Sequence, residues 1–598
     1  MSAADPATTA LFLGAFFDEL TRWGVYDVVV SPGSRSTPLA MTAYELSRRA
    51  PERLRLFVDV DERGAAFFAL GMAKASGRPA AVICTSGTAV ANYYPAVMEA
   101  KSSRVPLVVL TGDRPPRLQE LGAPQTCDQL KAFGDHVRAF RQMPLPTADA
   151  AALAFARQAA REAVIAAGGG AAEAAESRIA GACLGGPVHL NFPFDEPLKP
   201  DFSVEGLFEA GRRPNVSRET FVPVSQQLAP DAIARVAELL AGRRALALAG
   251  EGTCATDAEA RDVLAWAHAF NLPLLADPLS GLRRFDDALV IDNYDSLLSV
   301  GGEAPDELIP EVIVRFGRYP VSKKATQFTA ACGALQVVVD PLETRDCNAA
   351  TDVYVPCEPV AFARSLCAAA PAEASISCEF ADTWTAANDA ARERIVAAGN
   401  QEEGFEGSFV RRILELAPEE SCLFAANSMS IRALDTFYLK GEKRLTVLCN
   451  RGLNGIDGTT STALGAAQSF AQTTFLTGDL TLLHDLNALA LQRELRVQRA
   501  AGGSAPSIII VLLNNNGGAI FDMLPQKSED AYFERLFLTP QDVNFEAAAQ
   551  AFAVRYQRTR SLAEFDAAYK NALGTPGITL IEVPIPLQGL KSRYAPCW

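Results

Sequence analysis

Two short polar stretches hold the residues best suited to chemistry. Gly478-Asp479 follows the apolar run Thr474–Thr477, and Asn514-Asn515-Asn516-Gly517-Gly518 follows the apolar run Ser507–Leu513. A hard cation such as Mg²⁺ needs oxygen ligands and favours one or two carboxylates plus phosphate oxygens. Asp479 supplies a carboxylate, and an Asn amide and the Gly517 carbonyl can supply two further oxygens. Gly478 lets the backbone turn closely beneath a phosphate, and a helix after Leu480 aims its positive N-terminus there. Together the two stretches point to a Mg²⁺-diphosphate site.

The elements that must position these groups are readable. The two apolar runs are expected to be buried parallel strands. Between them Leu482, Leu486 and Leu489, with Leu483 and Ala490 beside them, form a helical stripe. Strand, helix, strand is a βαβ unit of nearly invariant handedness. It brings both carboxyl ends to one edge of the sheet, where open α/β folds bind ligands.

The same logic organises the start of the chain. Thr8–Trp23 reads as an amphipathic helix. Strands are expected at Asp27–Val30, Leu54–Val58, Ala80–Cys84 and Val105–Leu110, each running into a polar cluster: Ser31–Pro38, Asp59–Gly64, Thr85–Thr88 and Thr111–Pro116. The spacing predicts a first α/β domain over 1–195, closed by a strand at Gly186–Asn191, with an Ala/Gly-rich helix end and loop at Ala166–Gly186. A Pro-rich linker over 196–230 follows. Strands at Ala245–Ala249, Leu274–Ala276, Val312–Arg315 and Leu335–Val339 define a second α/β domain over 231–371. It has no G-x-G-x-x-G and reads as mostly architectural. Its basic stretch Arg318–Lys324 reads as a solvated surface loop. A connector over 372–404 leads to the third α/β domain, 405–598.

Composition narrows the class. A chain of 598 residues is too long for one core and implies three or four domains at about 150 residues each. Hydrophobic content of 49% and charged content of 21% are ordinary for a globular protein. The net charge of −15 argues against nucleic acid or anionic membrane partners, so an anionic substrate must meet a locally basic site. No run approaches the roughly 20 apolar residues of a membrane span, and no secretory signal is visible. The 12 cysteines are scattered, as expected of reduced thiols in a cytoplasmic protein. The four histidines, His136, His189, His268 and His484, lack metal-ligand spacing.

Gly-Asp, helix, strand and an asparagine pair resemble the diphosphate motif of thiamine diphosphate enzymes. Two features depart from the usual pattern: Leu480 stands where the family commonly has Gly, and the separation from Asp479 to Asn515 is long, with Ala500–Pro506 reading as an inserted loop. Leu480 is shared with the menaquinone-pathway synthase branch, which SPGSRSTPL, TSGTAVANYYPAV, GDRPP, GPVHLNFPF, NRGLNGIDG and NNNGGAIF also resemble across nearly the whole chain. The resemblance implies thiamine diphosphate and Mg²⁺ (or Mn²⁺) as cofactors and three consecutive open parallel-sheet domains: pyrimidine, central and diphosphate. The implied reaction decarboxylates 2-oxoglutarate and adds the succinyl unit to isochorismate.

By the same resemblance Glu62, in VDERGAAFFALGMAKASG, is the catalytic carboxyl acting on the aminopyrimidine, and Ile456 is the apolar wedge beneath the cofactor. Gly478, Asp479, Leu480, Asn515 and Gly517 bind the cofactor, with Asp479, Asn515 and Gly517 as metal ligands. Ser428 and Arg432 hold the 2-oxoglutarate carboxylate. Ser34, Arg35, Arg114, Gln125, Lys323 and Lys324 face isochorismate, Arg451 lies near both, and Ile520, Phe521 and Leu524 form an apolar wall. Arginine's planar fork suits such carboxylates. Pro124 replaces a common Asn, and Lys324 a common Arg. The family also implies a homodimer or homotetramer with active sites between subunits. Rival readings are a 2-oxo acid decarboxylase or acetolactate-type synthase, which would need fewer carboxylate-binding arginines, and a vestigial binding or regulatory protein on the same fold.

Overall fold

Uninterrupted runs of Val, Ile, Leu and Ala become strands covered on both faces. In the computed structural model, which describes residues 5–169, 181, 184–213, 227–298, 304–370, 378–400, 404–503, 505–528 and 530–598, they build three parallel six-stranded sheets. The first holds β1 (Asp27–Val30), β2 (Arg55–Val58), β3 (Ala80–Cys84), β4 (Leu107–Asp113), β5 (Ala139–Gln142) and β6 (Pro187–Pro193), in the order β2-β1-β3-β4-β6-β5. The second holds β7 (Ala245–Ala249), β8 (Leu274–Ala276), β9 (Val290–Ile291), β10 (Val312–Phe316), β11 (Leu335–Val339) and β12 (Val353–Val355), in the order β12-β11-β10-β7-β8-β9. The third holds β13 (Cys422–Ala425), β14 (Thr446–Leu448), β15 (Gln472–Gly478), β16 (Ser507–Asn514), β17 (Arg555–Arg558) and β18 (Gly577–Pro584), in the order β14-β13-β15-β16-β18-β17. The first and third orders match strand for strand, so both sheets reverse direction between their second and third strands in sequence.

Alternate side chains of each strand enter different cores, as a two-residue period requires. Val29, Val82 and Val109 of the first sheet share one core with Phe424, Phe475, Ile508 and Ile510 of the third. Val28, Val30, Ala81 and Ile83 face the core on the opposite side. The first and third domains are therefore fused through common apolar packing. Their closest approach is between the helices Glu62–Ser76 and Thr459–Ala466. A Cβ on Gly71 would lie 2.0 Å from the Thr462 carbonyl oxygen, and one on Gly465 would lie 2.0 Å from that of Phe68. Only glycine permits this contact.

Expected and observed strands coincide in the interiors of the first two sheets and at β15 and β16 of the third, whereas β13, β14, β17 and β18 have no counterpart among the expected strands. The short strands β5, β9 and β12 escape sequence reading because their geometry is imposed by a neighbour. The stripe between β15 and β16 is not one helix. It breaks at Asp485 (φ −123°, ψ 39°) into helix Asp479–His484, a 3₁₀ turn Leu486–Ala490 and helix Leu491–Ala500. The Asp485 carboxylate accepts the Ser461 N–H at 2.7 Å instead. The stretch Arg318–Lys324 is no solvated loop. Arg318 donates to the carbonyls of Arg451 (2.9 Å) and Gly452 (3.1 Å), and Val321 N–H to Asp277 Oδ2 (2.6 Å). Helix Lys323–Ala331 begins within it, capped by Ser322. Most of the expected loop at Ala166–Gly186, residues 214–226 of the expected linker and Ser504 of the expected insertion lie outside the described residues. Helix Cys378–Gly399 fills most of the expected connector.

One buried ion network clamps the first domain. Arg157 (1% exposed) donates to Asp18 Oδ2 (2.7 Å), Glu19 Oε2 (2.9 Å) and the Phe208 and Ala210 carbonyls (2.8 Å each). Burial alone would raise the Asp18 pKa, but hydrogen bonds from Arg212, Arg157 and Arg53 hold it below its ordinary value. Removing Arg157 leaves Asp18 with Arg53 and Arg212 and Glu19 with Arg161. It takes the donor from the Phe208 carbonyl, which is buried, and from that of Ala210, so Arg157→Met should cost about 1–3 kcal/mol, read as a lower denaturation midpoint. A depressed carboxylate stabilises fully above its unfolded pKa, near about 4, and that contribution is lost as pH falls through the folded value. The gap between variant and parent should therefore narrow in acid.

Candidate active site

β15 ends at Gly478, and Asp479 opens the next helix without a loop. β16 pairs alongside in the register Gly478↔Leu513, which delivers the asparagine loop to the same edge. Asp479 is 5% exposed. Burial pushes its carboxyl up to about 6, against the pull of backbone N–H groups of Leu480, Gly517 and Asn516. No basic side chain among the described residues pairs with it. Such a buried, cation-free carboxylate fits a bound cation.

The structure also decides among the three asparagines. Asn514 Nδ2 donates to Glu582 Oε1 at 2.8 Å. Asn516 takes the Asp542 N–H at 2.8 Å and donates to the Asp542 side chain at 2.8 Å. Asn515 alone of the three lines the cavity, its Oδ1 accepting the Gly517 N–H at 3.1 Å. Gly517 has φ +154°, and a Cβ there would lie 2.2 Å from the Leu538 carbonyl oxygen. Gly517→Ala should cost about 2–4 kcal/mol from backbone strain and overpacking, measured by thermal unfolding, and should displace the Asn515 side chain.

The cavity, of about 220 Å³, is lined by all six cofactor candidates, Ile456, Gly478, Asp479, Leu480, Asn515 and Gly517, and by Ser428, Ile520 and Phe521. A Cβ on Gly478 would meet nothing within 4 Å, leaving room for a phosphate against the backbone. Ser428 sits at φ +67°, ψ −128°, a strained pair for a non-glycine residue, at the head of helix Met429–Phe437. Strain of this kind costs about 1–3 kcal/mol and marks functional positions.

A second cavity of about 550 Å³ adjoins the first through Met429 and Ile520, and carries Lys323, Lys324, Arg432 and Leu524. Arg432 donates to the Ser428 carbonyl at 2.6 Å. Burial and the neighbouring Arg451 lower its pKa, while Asp295 and Asp435 oppose them. Arg451 donates to Asn427 Oδ1 at 3.0 Å and lines a third cavity at the domain junction.

The remaining candidates gather on the first sheet's edge. Arg35 N–H donates to Thr85 Oγ1 (3.1 Å), and its guanidinium to the Phe194 carbonyl (2.9 Å) and Glu196 Oε1 (3.3 Å). Burial and the nearby Arg114 lower its pKa, against Glu196. Two guanidiniums so close suit an anion. Arg114 donates to the Pro124 carbonyl at 2.7 Å, so the Pro at this position contributes its backbone. Gln125 (φ +57°) donates to the Ser86 carbonyl at 3.0 Å. Ser34 is exposed. Glu62 is the first residue of its helix, half-buried, and accepts from Asn92 Nδ2 at 3.4 Å.

The structure thus assembles two half-sites. One joins the cofactor candidates to Ser428, Lys323, Lys324, Arg432, Ile520, Phe521 and Leu524. The other holds Ser34, Arg35, Glu62, Arg114 and Gln125, none of which lines the Asp479 cavity of its own chain. Sequence reasoning missed Asn427, Asn92 and Lys591. Asn92 stands inside the quoted TSGTAVANYYPAV, and Asn427 directly precedes the candidate Ser428, so both could have been found there. Lys591, which lines the second cavity with Trp598, gives no local signal. The central domain is more than architectural, since Asp295, Ser322, Lys323 and Lys324 line that cavity.

Residues 13–132 match the family model described as thiamine pyrophosphate enzyme, N-terminal TPP binding domain, and residues 433–583 the corresponding C-terminal TPP binding domain. Several curated relatives carry the name 2-succinyl-5-enolpyruvyl-6-hydroxy-3-cyclohexene-1-carboxylate synthase. That of Geobacillus thermodenitrificans is 40% identical over 582 residues, covering 96% of this chain and 93% of the relative. That of Oceanobacillus iheyensis is 38% identical over 579 residues, covering 96% and 94%. That of Listeria monocytogenes serovar 1/2a is 37% identical over 595 residues, covering 98% and 96%.

Proposed function

Because this chain belongs to the 2-succinyl-5-enolpyruvyl-6-hydroxy-3-cyclohexene-1-carboxylate synthases, a family of thiamine diphosphate enzymes, we propose that it decarboxylates 2-oxoglutarate and adds the succinyl unit to isochorismate in menaquinone biosynthesis. The observation that carries this reading is the shared wall. Met429 and Ile520 border both the Asp479 cavity and the cavity of Lys323, Lys324 and Arg432, so carboxylate-binding cations adjoin the cofactor candidates.

Asp479, Asn515 and the Gly517 carbonyl would hold Mg²⁺ (or Mn²⁺), and Gly478, Leu480 and Ile456 would seat the coenzyme. When bound, thiamine diphosphate supplies a carbon nucleophile and an electron sink for loss of CO₂. Glu62 would hydrogen-bond the aminopyrimidine. Ser428 and Arg432 would grip the far carboxylate of 2-oxoglutarate, with Arg451 beside them. Ile520, Phe521 and Leu524 would exclude water, which strengthens every charge interaction inside. Ser34, Arg35, Arg114 and Gln125, with Lys323 and Lys324, would bind isochorismate.

This arrangement needs a second copy of the chain, whose first domain closes the third domain's cavity. Exposed apolar side chains beside the first-domain half-site support it: Val60 (77%), two residues before Glu62, and Leu121 (75%), in the loop between Arg114 and Gln125. We assign the working domains to 1–195, 231–371 and 405–598. No helix among the described residues is long and apolar enough to cross a membrane, and a cytoplasmic location is part of the proposal.

The test is incubation with thiamine diphosphate, Mg²⁺, 2-oxoglutarate and isochorismate, followed by mass analysis. The expected product carries isochorismate plus a succinyl semialdehyde unit. Turnover of pyruvate in place of 2-oxoglutarate would overturn the reading.

A further inference from the structure

Beneath the first domain's substrate edge lies a buried polar core that no cofactor or substrate contact accounts for. Its hub is Asn191 on β6, fully buried and in register with Thr111 of β4 and Gln142 of β5. Its amide uses its whole capacity. Oδ1 accepts from Thr111 Oγ1 (2.7 Å) and Gln129 Nε2 (2.8 Å), and Nδ2 donates to Asp113 Oδ2 (2.7 Å) and Gln142 Oε1 (2.8 Å). Thr111 spends its single proton on Asn191. His189 Nε2, 2.8 Å from Thr111 Oγ1, must therefore be the donor to that oxygen. Burial pushes the His189 pKa down to about 3, so the ring is neutral, protonated on Nε2, and its Nδ1 is bare and without a partner. Every proton in the hub has one direction.

Two arms leave it. In the first, Asp113 Oδ1 accepts the Arg114 N–H at 2.7 Å, and Arg114 reaches the Pro124 carbonyl. In the second, Gln129 Oε1 accepts the Gly87 N–H at 3.0 Å. Beside Gly87, Ser86 Oγ donates to the Gln125 carbonyl (2.9 Å) and Gln125 Nε2 donates to the Ser86 carbonyl (3.0 Å). The arms converge on Pro124-Gln125 from opposite sides, closing a ring through Asn191. We propose that Asn191 is a positioning residue that sets the spacing of Arg114 and Gln125, and hence the fit to isochorismate, without touching the substrate. The inference rests on the reading of those two residues given above.

The test is steady-state kinetics of the full-length enzyme with Asn191→Asp, with Asn191→Asp combined with Asp113→Asn, and with Gln129→Met. Asn191→Asp turns the bond to the Asp113 carboxylate into oxygen facing oxygen, while volume is kept; the exposed Gln142 amide can turn to donate. KM for isochorismate should rise at least about tenfold, the scale of one lost buried hydrogen bond. KM for 2-oxoglutarate and the affinity for thiamine diphosphate should stay within about twofold. Adding Asp113→Asn restores a donor opposite the new carboxylate and should recover most of the loss. Gln129→Met cuts one arm only and should raise the same KM by a smaller factor. An unchanged isochorismate KM, equal rises in both KM values, or no recovery in the exchanged pair would overturn the proposal. If Asn191→Asp alone does not fold, the exchanged pair and Gln129→Met decide by the same criteria. Failure of the parent enzyme to turn over this substrate pair defeats the functional reading and this one with it, whereas normal parent turnover with unmoved variants defeats this one alone.

Discussion

Equal mixtures of Glu62→Ala and Asp479→Ala chains, reassembled together, will regain about a quarter of the parent activity although each variant alone is nearly inactive. The fraction follows from the half-sites. Glu62 sits with Arg35 and Arg114 on the first sheet's edge, while Asp479 opens a cavity in the third domain that Glu62 of the same chain does not line. If a two-fold dimer closes one half-site with the other, a mixed dimer has one site with both defects and one with neither. Random pairing makes about half the dimers mixed, each with one working site. Loss of the Glu62 carboxyl removes a positioned acid–base group, worth about 10²–10⁴ in rate, so the background is low. A site built within a single chain gives no recovery, because every site then lacks one residue. Mixed dimers separated by differential tags that remain inactive would refute the shared site.

Replacing Asp479 by Asn will reduce affinity for Mg²⁺ and thiamine diphosphate at least about 100-fold, beyond what loss of an outer-shell partner costs. The same change should leave the cofactor-free protein as stable as the parent or more so. Asp479 is buried, cation-free and pushed up to about 6 by burial, so its charge costs the empty protein stability. The neutral amide removes that cost along with the metal ligand. Calorimetric titration with thiamine diphosphate in Mg²⁺, paired with thermal unfolding without either, separates the two effects. Undiminished affinity would remove Asp479 from the metal site. Lost affinity together with a destabilised empty protein would mean that the change damages the fold.

Much of this was legible in the chain itself. Ala80–Cys84 and Ser507–Leu513 announce doubly covered strands because no polar residue interrupts them. Gly478-Asp479 and the asparagine loop announce strand-end chemistry because those residue types do little else together. A local pattern reports what a segment's own side chains prefer, and these preferences survive folding where the segment lies inside a sheet. They fail where a neighbour dictates the outcome. Ala139–Gln142 is a strand because β6 pairs with it, the helix after Asp479 breaks because Asp485 turns to Ser461, and Arg318 is drawn into the domain junction by carbonyls more than 130 positions away. Which of three consecutive asparagines faces the cavity depends on Glu582 and Asp542 claiming the other two. The amino-acid sequence by itself determined three α/β domains and the chemical menu at their strand ends. Only the tertiary structure decided which edges share a cavity, because that depends on packing between segments far apart in the chain, to which no single stretch holds the key.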